Sequence, residues 1–237
     1  MNAAVVLQAR MGSSRLPGKV LAFIGSRSLL AHCIDRLQIK SNLPVIVATT
    51  TETEDDLIAR EAQRCGATAF RGPVDDVLRR YAMVVAEYGL DRVIRATADN
   101  PAVDLDAPLR TLRLLHRTGA HHVVEHGMPI GAAVEAVSAK AILQADEFAT
   151  DAYDREHVTP YIKRETRFRA MQGLAPGQVR APKLRLTVDT AEDLDFVRRV
   201  FAAVDLADPA PLATIIAGAK TLEPPARTRN ASRTEIR

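Results

Sequence analysis

The sequence predicts an α/β protein of three layers, a mostly parallel sheet with helices on both faces. Two observations carry this. Short apolar runs alternate with stretches whose apolar residues recur at helical spacing, and strands separated by helices imply parallel pairing through right-handed crossovers. The apolar content is also aliphatic. Hydrophobic residues make up 47% of the 237 positions while aromatics make up 4% and tryptophan is absent. Alanine, valine and leucine must therefore fill the core, as in layered α/β proteins.

Ala3 to Leu7 reads as the first strand, and a polar, glycine-containing loop follows it. Leu29, Leu30, Ile34 and Leu37 mark a helix. Val45 to Ala48 forms a second strand run after Pro44. Thr53 and Asp56 have the spacing of a capping box for a helix whose apolar face is Leu57, Ile58, Ala62 and Cys65. A strand at Thr68 to Phe70, a helix bearing Val77, Leu78, Tyr81, Val84 and Val85, and a strand at Val93 to Thr97 follow. The stretch 121–180 is less regular and is expected as an inserted lobe on one side of the sheet. It holds strands at His121 to Glu125 and near Val134 to Val137, with helices around Ala139 to Glu147 and His157 to Arg164. Leu184 to Val188 returns to strand character. Thr190 and Asp193 have capping-box spacing before a final long helix with Leu194, Val197 and Phe201 facing inward. The expectation is one domain over 1–222. The segment 223–237, with Pro224, Pro225, Arg227, Arg229, Arg233 and Arg237, is expected as a disordered tail.

Composition removes several functional classes. A net charge of +3 with few aromatics does not suit a nucleic-acid binder, which needs a long basic face with stacking rings. Cys33 and Cys65 lie among apolar residues on helix faces and read as buried small side chains, at no zinc spacing. His121 and His122 are adjacent on a strand, so they point to opposite faces and should not share an ion; with His126 they read as structural or exposed. No apolar run is long enough to span a bilayer and the chain opens directly on a strand pattern, so the expectation is a cytoplasmic protein without a membrane partner.

In parallel sheets ligands bind at the carboxyl ends of strands, which directs attention to the loops after Leu7, Ala48 and Thr97. The first of these runs Gln8-Ala-Arg-Met-Gly-Ser-Ser-Arg-Leu-Pro-Gly-Lys19. Gly12 permits close backbone approach, Ser13 and Ser14 offer donors, and Arg10, Arg15 and Lys19 supply three cations with no carboxylate among them. Backbone donors with fixed positive charge are what a triphosphate needs. The loop has neither the Walker spacing nor the dinucleotide fingerprint, and a solvated basic turn is the alternative. In Arg95-Ala-Thr-Ala-Asp-Asn-Pro101, Asp99 stands just past a strand. It suits a magnesium ion bridging phosphate oxygens or an Asx-turn ahead of Pro101. In Thr187-Val-Asp-Thr-Ala-Glu-Asp-Leu194, Asp189 lies between a strand and a helix cap. It either completes the metal site from the same sheet edge or only favours the helix N-terminus.

These segments, with Phe70 to Tyr81 and Arg155 to Tyr161, resemble the CTP-dependent cytidylyltransferases that activate acidic sugars, the CMP-Kdo and CMP-sialic acid synthetases, and among them the branch of spore-coat polysaccharide biosynthesis. The likeness runs from Ala3 to about Phe201. It implies a nucleotide-diphospho-sugar transferase (GT-A-like) fold and a magnesium-dependent transfer of CMP from CTP to a small acidic acceptor, with release of pyrophosphate. It implies that Gln8, Ala9, Arg10, Gly12, Ser13, Arg15 and Lys19 line the nucleotide, that Arg15, Lys19 and Asp99 are catalytic, and that Asp99 and Asp189 hold Mg2+. Arg71 is expected near the nucleoside, with Asp76, although Asp75 and Asp76 also suit a helix start and Arg79 and Arg80 its solvated face. Glu135, Glu156 and His157 are expected on the acceptor side, with His157 at a helix start. A homodimer is a further implication. The better-known synthetases place proline where Gln8 stands, which leaves the base and acceptor preference undetermined. Two alternatives stand beside this one: the same fold with a phosphate or phosphonate acceptor or another nucleotide, and a nucleotide-binding protein without turnover.

Overall fold

The computed structural model describes residues 2–204 and 209–225. β1 (Ala3–Gln8) leads through the loop 9–18 and a 3-10 turn at Lys19–Leu21 into a small hairpin, β2 (Phe23–Ile24) and β3 (Arg27–Ser28). α1 (Leu29–Gln38) starts at Ser28, whose hydroxyl accepts from the Ala31 N–H at 3.0 Å. β4 (Val45–Thr50), α2 (Asp56–Arg64), β5 (Thr68–Gly72), α3 (Val77–Tyr88) and β6 (Arg92–Thr97) complete the alternating half. α4 (Ala107–Thr118), β7 (His122–His126), β8 (Glu135–Ser138), α5 (Ala139–Phe148), α6 (Ala152–His157), α7 (Pro160–Arg164) and β9 (Ala170–Leu174) come next, and α8 (Ala191–Ala203) and α9 (Leu212–Lys220) close the described chain.

Seven strands form one sheet in the order β5-β4-β1-β6-β8-β7-β9. β1 pairs in parallel with β4 and β6, β4 with β5, and β7 with β9, while β8 runs antiparallel to both its neighbours. The period of two along β1 divides the core between the faces. Val5 and Leu7 pack with Leu30, Ile34, Ile58, Val197 and Ile215 of α1, α2, α8 and α9. Ala4 and Val6 pack with Tyr81, Val84, Ile142 and Ile162 of α3, α5 and α7. Each such Val, Leu or Ile side chain, removed from water, contributes roughly 1.5–3 kcal/mol.

Through Thr97 the main strands and helices fall where the periodicity puts them, with two local exceptions: the short β2–β3 hairpin was not expected, and the start of α2 differs. Thr53 and Asp56 do not form a capping box: Thr53–Asp55 is a 3-10 turn, and Asp55 caps α2 without a side-chain capping bond. Its carboxylate accepts instead from the N–H groups of Met11 and Thr50. The Thr190–Asp193 capping box is present in full at the start of α8, with Leu194, Val197 and Phe201 buried behind it.

Later in the chain the differences grow. What reads as a lobe on one side of the sheet is partly the sheet itself, because β7, β8 and β9 extend it beyond β6. Leu184 to Val188 is extended but is not a strand. Its partners are isolated loop groups: Arg185 bridges Ile130, and the Val188 N–H donates to the Asp99 carbonyl at 2.8 Å. The expected helix from His157 to Arg164 is two helices, with His157 closing α6 rather than opening a helix. Between them Val158 has φ +71°, and the Thr159 N–H donates to the His157 carbonyl at 2.8 Å, which makes a γ-turn of the rare, strained, positive-φ kind. Arg80 is not on a solvated face. It is 1% exposed and donates to the carbonyls of Pro73 and Val74 just past β5, and Gly72 makes room for it, since a Cβ there would meet Arg80 Cγ at 2.8 Å. Cys33 is buried and Cys65 half-buried. Most of the expected tail, 226–237, lies outside the described residues.

Candidate active site

The loop after β1 is folded around Met11. The Met11 carbonyl accepts from the N–H groups of Ser13 at 2.8 Å and Gly18 at 3.0 Å, which closes residues 12–17 into a ring. Gly18 makes the closure with φ +69°, a conformation that favours glycine. The N–H groups of Gly12, Ser14, Arg15 and Leu16 have no acceptor among the described residues. A run of free backbone donors in a tight turn is an anion-binding concavity.

Lys19 leaves this loop toward the sheet. Its ammonium lies 3.0 Å from Asp189 Oδ1, 3.5 Å from Asp99 Oδ2 and 2.7 Å from the Val188 carbonyl. Two aspartates ninety residues apart in sequence thus face one cation. They are brought together because the extended segment before α8 hydrogen-bonds the Asp99 backbone. Asp99 Oδ1 accepts from the Thr97 hydroxyl at 2.6 Å, which leaves Oδ2 toward Lys19. Asp189 also meets Arg15 at 2.9 Å and Arg185 at 2.6 Å. Burial works to raise the Asp189 carboxyl pKa, but Lys19, Arg185 and Arg15 outweigh it and hold it below the usual carboxylate range. Arg185 is itself fixed by Asp193, which also receives the Asp189 N–H at 2.9 Å.

Across the cleft, Arg10 NH2 lies 3.6 Å from Glu156 on α6, with both side chains exposed. His157 is exposed beside Glu156 and packs against the Tyr153 ring at 4.3 Å between centroids. Gln8 is half-buried at the end of β1, its Oε1 3.4 Å from the Tyr81 hydroxyl. Ala9 is buried, and its N–H donates to Ala48 at 3.3 Å, seating the loop on the sheet.

Two sequence-derived positions, Glu135 and Arg71, sit differently from expectation. Glu135 does not face the cleft as a free acceptor contact. It is buried and holds Arg95 at 3.0 Å, with Lys163, the Thr159 hydroxyl at 3.1 Å and His122 Nε2 at 3.2 Å. Burial pushes its carboxyl pKa up, but Arg95, His122 and Lys163 outweigh this and hold it well below the usual range. Arg71 is occupied by Asp56 and by the carbonyls of Thr50 and Glu52, so it braces the turn after β4. Asp76 takes the helix-start role that its position suited: it caps α3 and is clamped by Arg155, with contacts of 2.5–3.0 Å. Conversely, Asp55, Thr97 and Arg185 support the site without having been singled out. Arg185 carried a signal: in an extended segment it shares a face with Thr187 and Asp189.

Among the described residues no group of three or more His, Cys, Asp and Glu side chains could hold a metal ion. Asp99 and Asp189 alone offer two hard oxygen ligands already organised around a cation. That donor set fits magnesium, which takes one or two carboxylates and completes its shell with phosphate oxygens and water.

A ring of free backbone donors, flanked by basic side chains at the carboxyl ends of parallel strands, is suited to phosphoanhydrides. The seven-stranded sheet carrying it has the nucleotidyltransferase-like α/β fold. Comparison with known proteins gives the family. The chain belongs to the cytidylyltransferases, whose family model matches residues 4–215. It is 32% identical to the spore coat polysaccharide biosynthesis protein SpsF of Bacillus subtilis, over 83% of this chain and 85% of that one. It is also 32% identical to a 3-deoxy-manno-octulosonate cytidylyltransferase of Anaeromyxobacter dehalogenans, over 45% of this chain and 44% of that one. A solved cytidylyltransferase structure from Leptospira borgpetersenii superposes with a TM-score of 0.86 at 28% identity, over 93% of this chain and 94% of that one. No described helix is long and apolar enough to cross a membrane.

Proposed function

We propose that this chain transfers CMP from CTP to a small acidic acceptor, an acidic sugar destined for a surface polysaccharide, and releases pyrophosphate. The observation that carries the proposal is the single ammonium of Lys19 facing both Asp99 and Asp189 beside the loop of free N–H groups. Kinship with SpsF and with a 3-deoxy-manno-octulosonate cytidylyltransferase supports the acceptor class.

In this reading the N–H groups of Gly12, Ser14, Arg15 and Leu16 cradle the β- and γ-phosphates. An acceptor hydroxyl oxygen forms a bond to the α-phosphorus and gives up its proton to water, and the bond from that phosphorus to the bridging oxygen breaks. The negative charge leaves with pyrophosphate, where Arg15 and Lys19 stabilise it. Asp99 and Asp189 would hold magnesium, which when bound supplies charge neutralisation at the transferred phosphate. Arg15 and Lys19 now rest on Asp189 and can turn to the phosphates as they arrive. Glu156 and His157 border the acceptor's side of the cleft, where Glu156 meets Arg10 of the phosphate loop. The reaction needs positioning and charge more than covalent chemistry, and this site supplies both. A cytoplasmic location and a homodimer belong to the same proposal.

The test is pyrophosphate release with CTP, UTP, GTP or ATP, each with magnesium and a panel of sugar acids, phosphates and phosphonates. Release with CTP and one sugar acid is the expected result. Release with another nucleotide, or CTP binding with no turnover on any acceptor, would overturn it.

A further inference from the structure

The ring of residues 12–17 is held from outside by a residue that the chemistry above does not use. Asp55 lies in the turn between β4 and α2 and is 1% exposed. One carboxylate oxygen accepts from the Met11 N–H at 2.7 Å. The other accepts from the Thr50 N–H at 3.2 Å and from the Thr50 hydroxyl. Its partners are therefore backbone and hydroxyl donors from two segments well separated in sequence.

A buried carboxylate is costly unless fully hydrogen-bonded, and charge-assisted bonds to backbone N–H groups are the strong kind. Coulomb attraction does not explain an anion here, since a negative charge beneath a loop that receives phosphates weakens their binding. Its benefit is geometric. Met11 is gripped on both sides, its N–H by Asp55 and its carbonyl by Ser13 and Gly18. Gly12 stands over the same turn, where a Cβ would come within 3.7 Å of Glu54 Oε1. Without Asp55 the Met11 N–H would compete with the ring's other donors and the closure would lose its outside reference.

We infer that Asp55 is the positioning residue of the phosphate loop: by holding the Met11 N–H it keeps the N–H groups of Gly12, Ser14, Arg15 and Leu16 free for a di- or triphosphate. The inference rests on the proposed function only for the identity of the ligand, and inorganic pyrophosphate tests it without a base or an acceptor.

The experiment pairs pyrophosphate and CTP titrations with residue-resolved amide exchange, on the wild type, Asp55→Asn and Thr50→Val. In the wild type the Met11 amide is protected without ligand, while those of Gly12, Ser14 and Arg15 exchange fast and become protected by pyrophosphate. Asp55→Asn turns an amide donor against a backbone donor. Its pyrophosphate Kd rises about tenfold or more, the loss expected for one charge-assisted hydrogen bond, and Met11 protection is lost while β1 and β4 keep theirs. Thr50→Val keeps the Met11 bond and leaves the Kd within about twofold. Equal pyrophosphate binding by Asp55→Asn and wild type overturns the inference, as does an equal loss in Thr50→Val. The exchange pattern needs no variant: a wild-type Met11 amide as fast as that of Gly12 also overturns it. A wild type that binds pyrophosphate but not CTP would sink the proposed function and leave the role of Asp55 standing.

Discussion

Lys19 Nζ sits 3.0 Å from Asp189 Oδ1 and also reaches Asp99, so one lysine joins the carboxylates of two distant segments. If that lysine moves to the phosphates during turnover, Lys19→Ala removes an interaction made with substrate. CTP kcat/KM is expected to fall by about 100-fold or more, the scale for losing one preorganised charge donor. Steady-state pyrophosphate release measures it, and an unchanged kcat/KM would contradict a phosphate role.

Asp99→Ala and Asp189→Ala should each remove most turnover while the chain stays folded. Their circular dichroism should match wild type. Asp189→Ala frees Arg15, Lys19 and Arg185 together, so its unfolding temperature should fall further than that of Asp99→Ala. Full activity in either variant would take that residue out of the proposed metal pair.

Glu135→Gln should destabilise the fold more than it disturbs CTP use. It leaves the half-buried Arg95 without its anion, which costs about 3–5 kcal/mol, or roughly 6–20 °C of Tm at about 2–4 °C per kcal/mol for a chain of this size. The pH dependence has a fixed sign. The depressed carboxyl pKa values of Glu135 and Asp189 mean that their stabilisation is complete above the unfolded values of about 4.3 and 3.9, and is lost as pH falls through the lower folded ones. The Tm gap between wild type and Glu135→Gln should therefore be constant from neutral pH to about pH 5 and close under stronger acid.

Gly131→Ala should damage the site from behind. Gly131 has φ +91°, and a Cβ there would meet the Thr187 N at 2.7 Å and Asn100 Oδ1 at 2.8 Å. Both neighbours adjoin the proposed metal pair. The expected result is a lower Tm together with a fall in kcat. A variant with wild-type Tm and kcat would show that the backbone there has room to give.

Glu156→Gln should leave Tm unchanged, because an exposed pair at 3.6 Å contributes no more than about 1 kcal/mol. Its effect is expected in the acceptor KM. A change confined to CTP binding would move Glu156 to the nucleotide side.

Local patterns made the first half of the fold legible: β1, β4, β5 and β6 are apolar runs that alternate with helical spacing, and the Thr190–Asp193 box announced α8. The signal failed where partners are remote. Leu184 to Val188 has strand composition but meets only isolated loop groups, and nothing in its own residues says so. β9 escaped notice because its exposed alternation around Gly173 is weakly apolar, and it belongs to the sheet only through β7. At the site, the loop cations and both aspartates could be read because residue type and strand-end position point to them. The commitment of Glu135 to Arg95 could not, because it depends on the antiparallel register of β6 and β8. Asp55 was not legible at all, because its role depends on the loop after β1 folding back so that the Met11 N–H reaches its carboxylate.

The γ-turn at Val158 fixes more than a bend. A β-branched residue at φ +71° costs of order 1–3 kcal/mol, offset here by a fully buried side chain and by the grip of Thr159 on Glu135. A residue added or removed at this joint would redirect α6 relative to α7, carrying Glu156 out of line with Arg10. The side chains of α6 can therefore change, and with them the acceptor proposed to lie against it, while the number of residues in the joint stays constant.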